Sequence, residues 1–351
     1  MANILTRKQQ VPAAKKAYAA AGVDVDLGNR VKSGIHSLVK GTHGPEVLGR
    51  IGGFGGLFRP DFRGMKEPVL VSSVDGVGTK LKLAFAIGRH DTVGQCLVNH
   101  CIDDIAVIGA KPLFFLDYIG AGKLEPAVFT QLLKGFAKAC KAAGCAIVGG
   151  ETAQMADMYA PGEYDLVGTI IGVVDRARLI DGSRIRKGDV VLGMASNGLH
   201  TNGYTLARKV LFEQMGLRLA SRLPGVKGTL GEELLRVHRN YQPSLARLPA
   251  GMAKGLAHIT GGGLVDNLPR VLPKNCDAVI ETKSWKTPAI FEHIERGGGV
   301  DHAEMYQVFN MGIGMTVVVS PKDSAAAQRK LRAKVIGRIE SGTGVVRLAG
   351  M

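Results

Sequence analysis

Aromatic residues make up only 5% of this 351-residue chain, too few for a platform on which single-stranded nucleic acid would stack. Cysteine is sparse as well. The five cysteines are an odd number and include no Cys-x-x-Cys pair, which argues against a disulfide framework or a zinc ribbon and points to a reducing compartment. No stretch approaches the ~20 apolar residues that cross a bilayer, and the opening MANILTRKQQVPAAKKAYAAAG lacks the apolar core of a signal peptide. A soluble, cytoplasmic protein without a membrane partner is expected. The Walker spacing G-x-x-x-x-G-K-[ST] is also missing.

Glycine and positive charge are abundant. The 48 glycines are about twice the average share and follow no short period, so they mark tight turns and close backbone approaches. Lysine and arginine exceed aspartate and glutamate by 45 to 30, a formal charge of +15. Nucleic acid, an acidic membrane or phosphorylated small molecules would all suit that charge. The basic residues are scattered, with short clusters only at Arg184 to Lys187 and Arg329 to Lys334. That pattern reads as a solvated surface with some attraction for polyphosphate, and nucleic acid is not the expected partner.

The length exceeds the usual single domain, and two are expected, 1–175 and 176–351. Strand-like runs occur at Pro68 to Val74, Leu113 to Tyr118, Ala146 to Gly149 and Tyr164 to Val174, an α/β or α+β first half. Val93, Leu97, Cys101, Ile105 and Ile108 recur at helical spacing, predicting one amphipathic helix over 91–110 on which Cys96, His100 and Asp103 share a stripe. In the second half the pattern predicts strands over 190–194, 317–320 and 344–348. It predicts helices over 201–215, 234–236 and 324–336. His302 and Glu304 are expected to serve structure or an interface.

The densest chemistry lies in VSSVDGVGTKLKLA, Val71 to Ala84. Asp75 can hold a hard cation through oxygen, Gly76 and Gly78 allow backbone N–H groups close to phosphate, Thr79 adds a hydroxyl, and Lys80 a point charge. Upstream, Gly53 and Gly55 belong to IGGFGGLF, a segment glycine-rich enough to close as a mobile loop over a ligand. Asp104 begins D-x-x-x-x-G-A-x-P, ending at Pro112. This is the signature of a superfamily of ATP-using enzymes.

Within that superfamily the chain resembles the phosphoribosylformylglycinamidine cyclo-ligase (aminoimidazole ribonucleotide synthetase) family. The resemblance is carried by AGVDVDLGN (21–29), PEVLGRIGGFGGLF (45–58), LFFLDY (113–118), VGGET (148–152), GLHTNGY (198–204), ITGGGLVDNLP (259–269) and EMYQVFNMGIGM (304–315). It implies the two-domain fold of that family, with an α/β amino-terminal domain whose sheet forms a homodimer interface and an α+β carboxy-terminal domain. It implies ATP and magnesium, and an ATP-driven ring closure of formylglycinamidine ribonucleotide. By analogy Asp75, Lys80, Asp104 and Glu151 would handle nucleotide and magnesium, with Asp104, His200 and Lys80 in catalysis. Ser196, His200, Asn202, Thr260, Gly261 and Gly262 would meet the ribonucleotide.

The chain departs from the family on the first-half helix, where Cys96, His100 and Asp103 stand for aspartate, methionine and asparagine. Such a trio can also be read as a transition-metal stripe. The expectation is that the negative charge has moved from 96 to 103. Ile108, Lys111, Gln154 and Gln307 depart as well. Two alternatives stay open: a paralogue acting on another ribonucleotide, and a non-catalytic nucleotide- or RNA-binding relative.

Overall fold

The computed structural model describes residues 36–123 and 125–350; the AGVDVDLGN segment lies outside them. The described strands form two sheets, one on each side of Asp175. In the first, β1 (Pro68–Gly76), β2 (Lys111–Ala121), β3 (Ala146–Gln154) and β4 (Tyr164–Asp175) lie in the order β1-β4-β2-β3. β4 runs antiparallel to β1 and β2, while β2 and β3 are parallel. The parallel pair needs a crossover, and it is a helix, Pro126–Ala143.

Three further helices belong to this half. α1 is His36–Lys40, α2 Leu81–Ile87 and α3 Asp91–Ala106; the crossover helix is α4. The predicted helix over 91–110 is therefore shorter at its end, because Gly109 takes a left-handed φ of 88° that leads into β2. It is also less amphipathic in place than its spacing implies. Nearly every residue from Thr92 to Ala106 is buried, since one face packs on β1 and β4 and the other on the second half. Contact with α4 is close because both helices present glycine. A Cβ at Gly94 would lie 2.6 Å from the Leu132 carbonyl oxygen, and one at Gly135 would strike the Asp91 carbonyl.

The second sheet contains β5 (Val190–Ala195), β6 (Ala253–His258), β7 (Cys276–Glu281), β8 (Ile313–Val319), β9 (Lys334–Ser341) and β10 (Val346–Ala349), in the order β10-β7-β9-β5-β8-β6. All pairs are antiparallel except β10 with β7. Around it lie α5 (Tyr204–Arg208), α6 (Leu230–Leu234), α7 (Gln242–Leu245), α8 (Gly263–Asn267), α9 (Ala289–Gly298), α10 (His302–Val308) and α11 (Pro321–Leu331).

Three sequence expectations are corrected here. The helix over 201–215 starts at Tyr204 and passes at Lys209 into a wider π-helical stretch to Gln214. The helix over 234–236 is instead α6, which begins at Leu230 behind a capping box in which Thr229 and Glu232 satisfy each other's backbone N–H groups. The helix over 324–336 stops at Leu331, because Arg332 turns left-handed at φ 53°, and Ile336 is buried in β9. His302 and Glu304 lie on α10, capped by Asp301. Among the described residues no helix is long and apolar enough to cross a membrane.

Candidate active site between the two halves

β1 alternates in burial, so Ser73 and Asp75 point to the same side, toward α3. Asp75 ends that strand with Oδ1 accepting from the Gly76 N–H at 2.6 Å and Oδ2 2.8 Å from His100 Nε2. One turn along α3, Asp104 Oδ2 accepts from the Ser73 hydroxyl at 3.0 Å and lies 3.8 Å from the same His100 nitrogen. Its Oδ1 pairs with Nδ1 of His258, the last residue of β6, at 2.8 Å. Both carboxylates are half-buried. Burial alone would raise their pKa values, but the facing imidazoles outweigh it and hold both below the ordinary value.

Four histidines meet here. Thr201 Oγ1 lies 2.7 Å from His100 Nδ1 and 3.2 Å from His238 Nδ1, and His238 Nε2 is 3.0 Å from His258 Nε2. Counting donors fixes the protons. His258 must donate Nδ1–H to the Asp104 carboxylate, so its Nε2 accepts from His238. His238 Nδ1 then accepts from the Thr201 hydroxyl, which accepts from His100, and the second His100 N–H goes to Asp75. His100 is thus the imidazolium of the set. Its own burial disfavours that charge, but Asp75 and Asp104 outweigh burial and raise its pKa. His200, His238 and His258 are lowered, by burial first. Neighbouring cationic groups lower His200 and His238 further, whereas the bond to Asp104 works against the shift of His258.

The sequence-predicted residues are only partly brought together. Asp75 and Asp104 converge, but Glu151 does not join them. It is exposed on the edge strand β3, three strand spacings from β1 and so about 14 Å away across the sheet. Gly53 and Gly55 stand on that same far edge, in a segment where Gly56 packs on Val148 of β3. The G-A-K end of the signature also lies apart. Gly109, Ala110 and Lys111 join Arg178 and Arg184 around a cavity of about 730 Å³, whose walls include neither Asp75 nor Asp104.

Lys80 is fully buried, and its three N–H donors are spent on Cys96 Sγ at 3.2 Å, the His200 carbonyl at 2.8 Å and the Arg236 carbonyl. It therefore fastens the first half to the second, with no donor left for a phosphate. Burial lowers its pKa, with Cys96 acting against the shift. At 103, where the charge was expected to have moved, the surroundings disfavour it. Asp103 Oδ1 accepts from the Tyr241 N–H at 2.7 Å, Oδ2 has no hydrogen-bond partner, and burial drives the carboxyl well above its usual value. Cys96, His100 and Asp103 each face different partners, so the stripe does not form a metal site by itself.

Gly76 closes β1 and Gly78 takes a left-handed φ of 66°. Beside it the Thr79 hydroxyl meets that of Thr205 across the halves at 2.9 Å. The predicted substrate loops do meet: a Cβ at Gly261 would lie 3.3 Å from Asn202 Oδ1. Ser196 donates to Asn310 Oδ1 at 2.9 Å, and Thr260 donates to Asn267 Oδ1 at 3.3 Å. Gly262 turns left-handed at φ 93° just before α8. His200 is buried at φ 63°, a left-handed value unusual for a side chain with Cβ, and Nδ1 is unpartnered. Sequence reasoning missed His238, Tyr241 and His258. His258 lies two residues before the glycine turn at Thr260, a signal that could have found it; His238 and Tyr241 sit in a loop with no such pattern.

Two family models match, AIR synthase related protein N-terminal domain over residues 62–174 and its C-terminal domain over 186–349. Phosphoribosylformylglycinamidine cyclo-ligase of Anaeromyxobacter sp. (strain Fw109-5) is 53% identical over 334 residues, covering 93% of this chain and 96% of that protein. That of Syntrophotalea carbinolica is 53% identical over 306 residues, covering 87% of each. Among solved structures, thiamine-monophosphate kinase from Stenotrophomonas maltophilia K279a superposes with a TM-score of 0.66 at 18% identity, covering 93% of this chain and 97% of that one. Hydrogenase maturation protein HypE in complex with ATP gives 0.66 at 17%, covering 95% and 93%. These two likenesses concern the fold.

Two outcomes follow from the geometry. Lys80→Met leaves the His200 and Arg236 carbonyls without their donor, so urea denaturation should show a loss of about 1–3 kcal/mol; unchanged stability would remove Lys80 as the fastening between halves. For pH, His200, His238 and His258 have folded pKa values below 6.5, so their stabilisation is present above that value and is lost as pH falls below it. His100, raised above 6.5, works oppositely, contributing below that value and fading as pH rises through its folded pKa. Removing one of the lowered imidazoles in His238→Gln therefore predicts a smaller fall in unfolding temperature from pH ~7.5 to ~5.5 than the native chain shows. Equal falls would contradict the assignment.

Proposed function

The chain belongs to the phosphoribosylformylglycinamidine cyclo-ligase family, and on that premise we propose that Asp75 and Asp104 form the acidic centre at which it handles the phosphates of ATP. It is an ATP-dependent ligase of purine biosynthesis that closes a carbon–nitrogen bond. The formyl amide oxygen of formylglycinamidine ribonucleotide takes the γ-phosphoryl group and ADP leaves. An amidine nitrogen then attacks the activated carbon, phosphate departs with the former amide oxygen, a proton is lost, and aminoimidazole ribonucleotide results. An amide oxygen is a poor leaving group as oxide and a good one as phosphate, so the protein's task is positioning and charge neutralisation.

The observation that carries the residue assignment is the convergence of Asp75 and Asp104 on one imidazole where the halves meet. The donor set suits magnesium, which takes one or two carboxylates beside phosphate oxygens. Asp75 and Asp104 would hold it, and bound there it neutralises charge on the transferring phosphoryl group. His100 orients Asp75, Ser73 orients Asp104, and His258 keeps Asp104 ionised. Asn202 and the Thr260–Gly262 turn offer amide and N–H donors for the ribonucleotide, and the Ser196 and Thr260 hydroxyls, whose protons go to Asn310 and Asn267, offer acceptor oxygens. His200 shapes that wall from beneath, as its burial permits.

The parts before and after Asp175 act as two domains, and a homodimer pairs through the first sheet. Its outer face presents Leu70 and Val74, each 63% exposed, in line with Ile171, Thr169, Phe114 and Leu116 on the neighbouring strands. A reducing cytoplasm is the setting that five free, buried cysteines suit.

With magnesium, phosphate release from ATP should require formylglycinamidine ribonucleotide and match the aminoimidazole ribonucleotide formed. Asp104→Asn should lower kcat at least ~100-fold with the fold retained. Retention of full activity would move the nucleotide site elsewhere, for instance to the cavity beside Lys111. Sedimentation of a Leu70→Lys, Val74→Lys double variant should show a monomer where the native chain is a dimer. A variant that still sediments as a dimer would place the interface on another face.

A further inference from the structure

Three imidazoles lie around a point just behind the proposed catalytic carboxylates, His258 facing Asp104 with one ring nitrogen and this point with the other. His238 contributes from the loop between α6 and α7, His258 from the end of β6 and His200 from the loop after β5. Ligand nitrogens of the three histidines all fall within 4.8 Å of one another, and all three rings are buried. We infer that His200, His238 and His258 form a three-imidazole binding site for a zinc-class divalent cation, with the fourth position left to water or a small anion.

Two observations are independent of the clustering. The first is that one of the three rings carries a polar atom without a partner among the described residues: His200 Nδ1 is buried and unsatisfied. Buried polar atoms in native proteins are rarely left so, and an orphaned one is a common sign of a ligand. The second is the contact between His238 Nε2 and His258 Nε2 at 3.0 Å. Tetrahedral coordination at the usual zinc–nitrogen length separates two ligand nitrogens by about 3.4 Å. Replacing the shared proton by an ion therefore needs only a few tenths of an ångström.

The surrounding groups already hold the ligands in usable form. Asp104 accepts the Nδ1–H of His258 and leaves Nε2 free, the carboxylate–histidine arrangement that commonly backs a metal ligand. His238 needs only a change of tautomer, its Nδ1–H turning to the Thr201 oxygen at 3.2 Å. His200 needs a ring rotation, because it is stacked on His238 with centroids 4.1 Å apart and planes at 27°. The three rings are buried, and the ion would tie together the three segments of the second half that carry them. Magnesium, which requires oxygen and water, does not suit it.

The inference is independent of the cyclo-ligase reading. The full chain, stripped by a chelator and titrated with Co2+, should develop the intense visible bands of tetrahedral cobalt. They should saturate at about one equivalent, be displaced by Zn2+ and persist in excess Mg2+. His238→Gln should weaken binding at least ~100-fold. Because that variant also alters a buried hydrogen bond, His238→Cys serves beside it, expected to restore binding and add a sulfur-to-cobalt charge-transfer band. Absence of a saturable tetrahedral spectrum in the native chain, displacement by Mg2+, or binding by a folded His238→Gln as tight as the native would each overturn the site. Because the readout is spectral, it is unaffected by whether the chain turns over its substrate.

Discussion

A single buried ammonium holds the centre of this molecule in place. Lys80 reaches out of the first half with no water around it, and a charge in that position persists only if every N–H finds an acceptor. Two of its acceptors are carbonyls of the second half, those of His200 and Arg236. The first secures a residue at an unfavourable backbone angle. The second draws in the loop that delivers His238 and Tyr241 against α3. The histidine cluster, the seat of Asp103 and the contact between the halves all follow from one lysine being satisfied.

The helix α3 shows how burial separates chemically identical neighbours. Asp103 and Asp104 are adjacent in sequence, yet their carboxyls shift in opposite directions. Helical geometry sends them about 100° apart. Asp104 turns toward β1, where a hydroxyl and two imidazoles compensate it, and Asp103 turns toward α7, where backbone N–H groups face it and no cation compensates its burial. Charge in such a place is set by partners and not by residue type.

Much of the fold was legible because strand periodicity and glycine punctuation are local properties. All four first-half strands fall on the runs where apolar residues gather, and β5 and β8 do likewise. What failed was what depends on distant chain. Ile336 reads as helix until the left-handed Arg332 is known, and α3 reads as amphipathic because sequence cannot tell that a second half will cover its polar side. The site was half legible. Asp75 and Asp104 stand in recognisable motifs, whereas Lys80 looks like a phosphate ligand from its motif and becomes a structural tie only when residues 120 and 156 positions later arrive. His238 carries no local mark at all. The function itself was legible through long family motifs rather than through any residue pattern of chemistry.

The order of strands in the second sheet bears on how the chain is made. β5, the first of them to leave a ribosome, is flanked in the finished sheet by β8 and β9, which begin at residues 313 and 334. Its two edges must therefore wait through the synthesis of well over a hundred residues, with a run of valine, leucine and methionine unpaired. At ordinary elongation speeds of ~5–20 residues per second, that wait lasts on the order of ten seconds. The first sheet has no such debt, since β1 to β4 are complete by Asp175. The nascent protein thus passes through a stage with one half assembled and the next half sticky, the period in which a chaperone has most to protect.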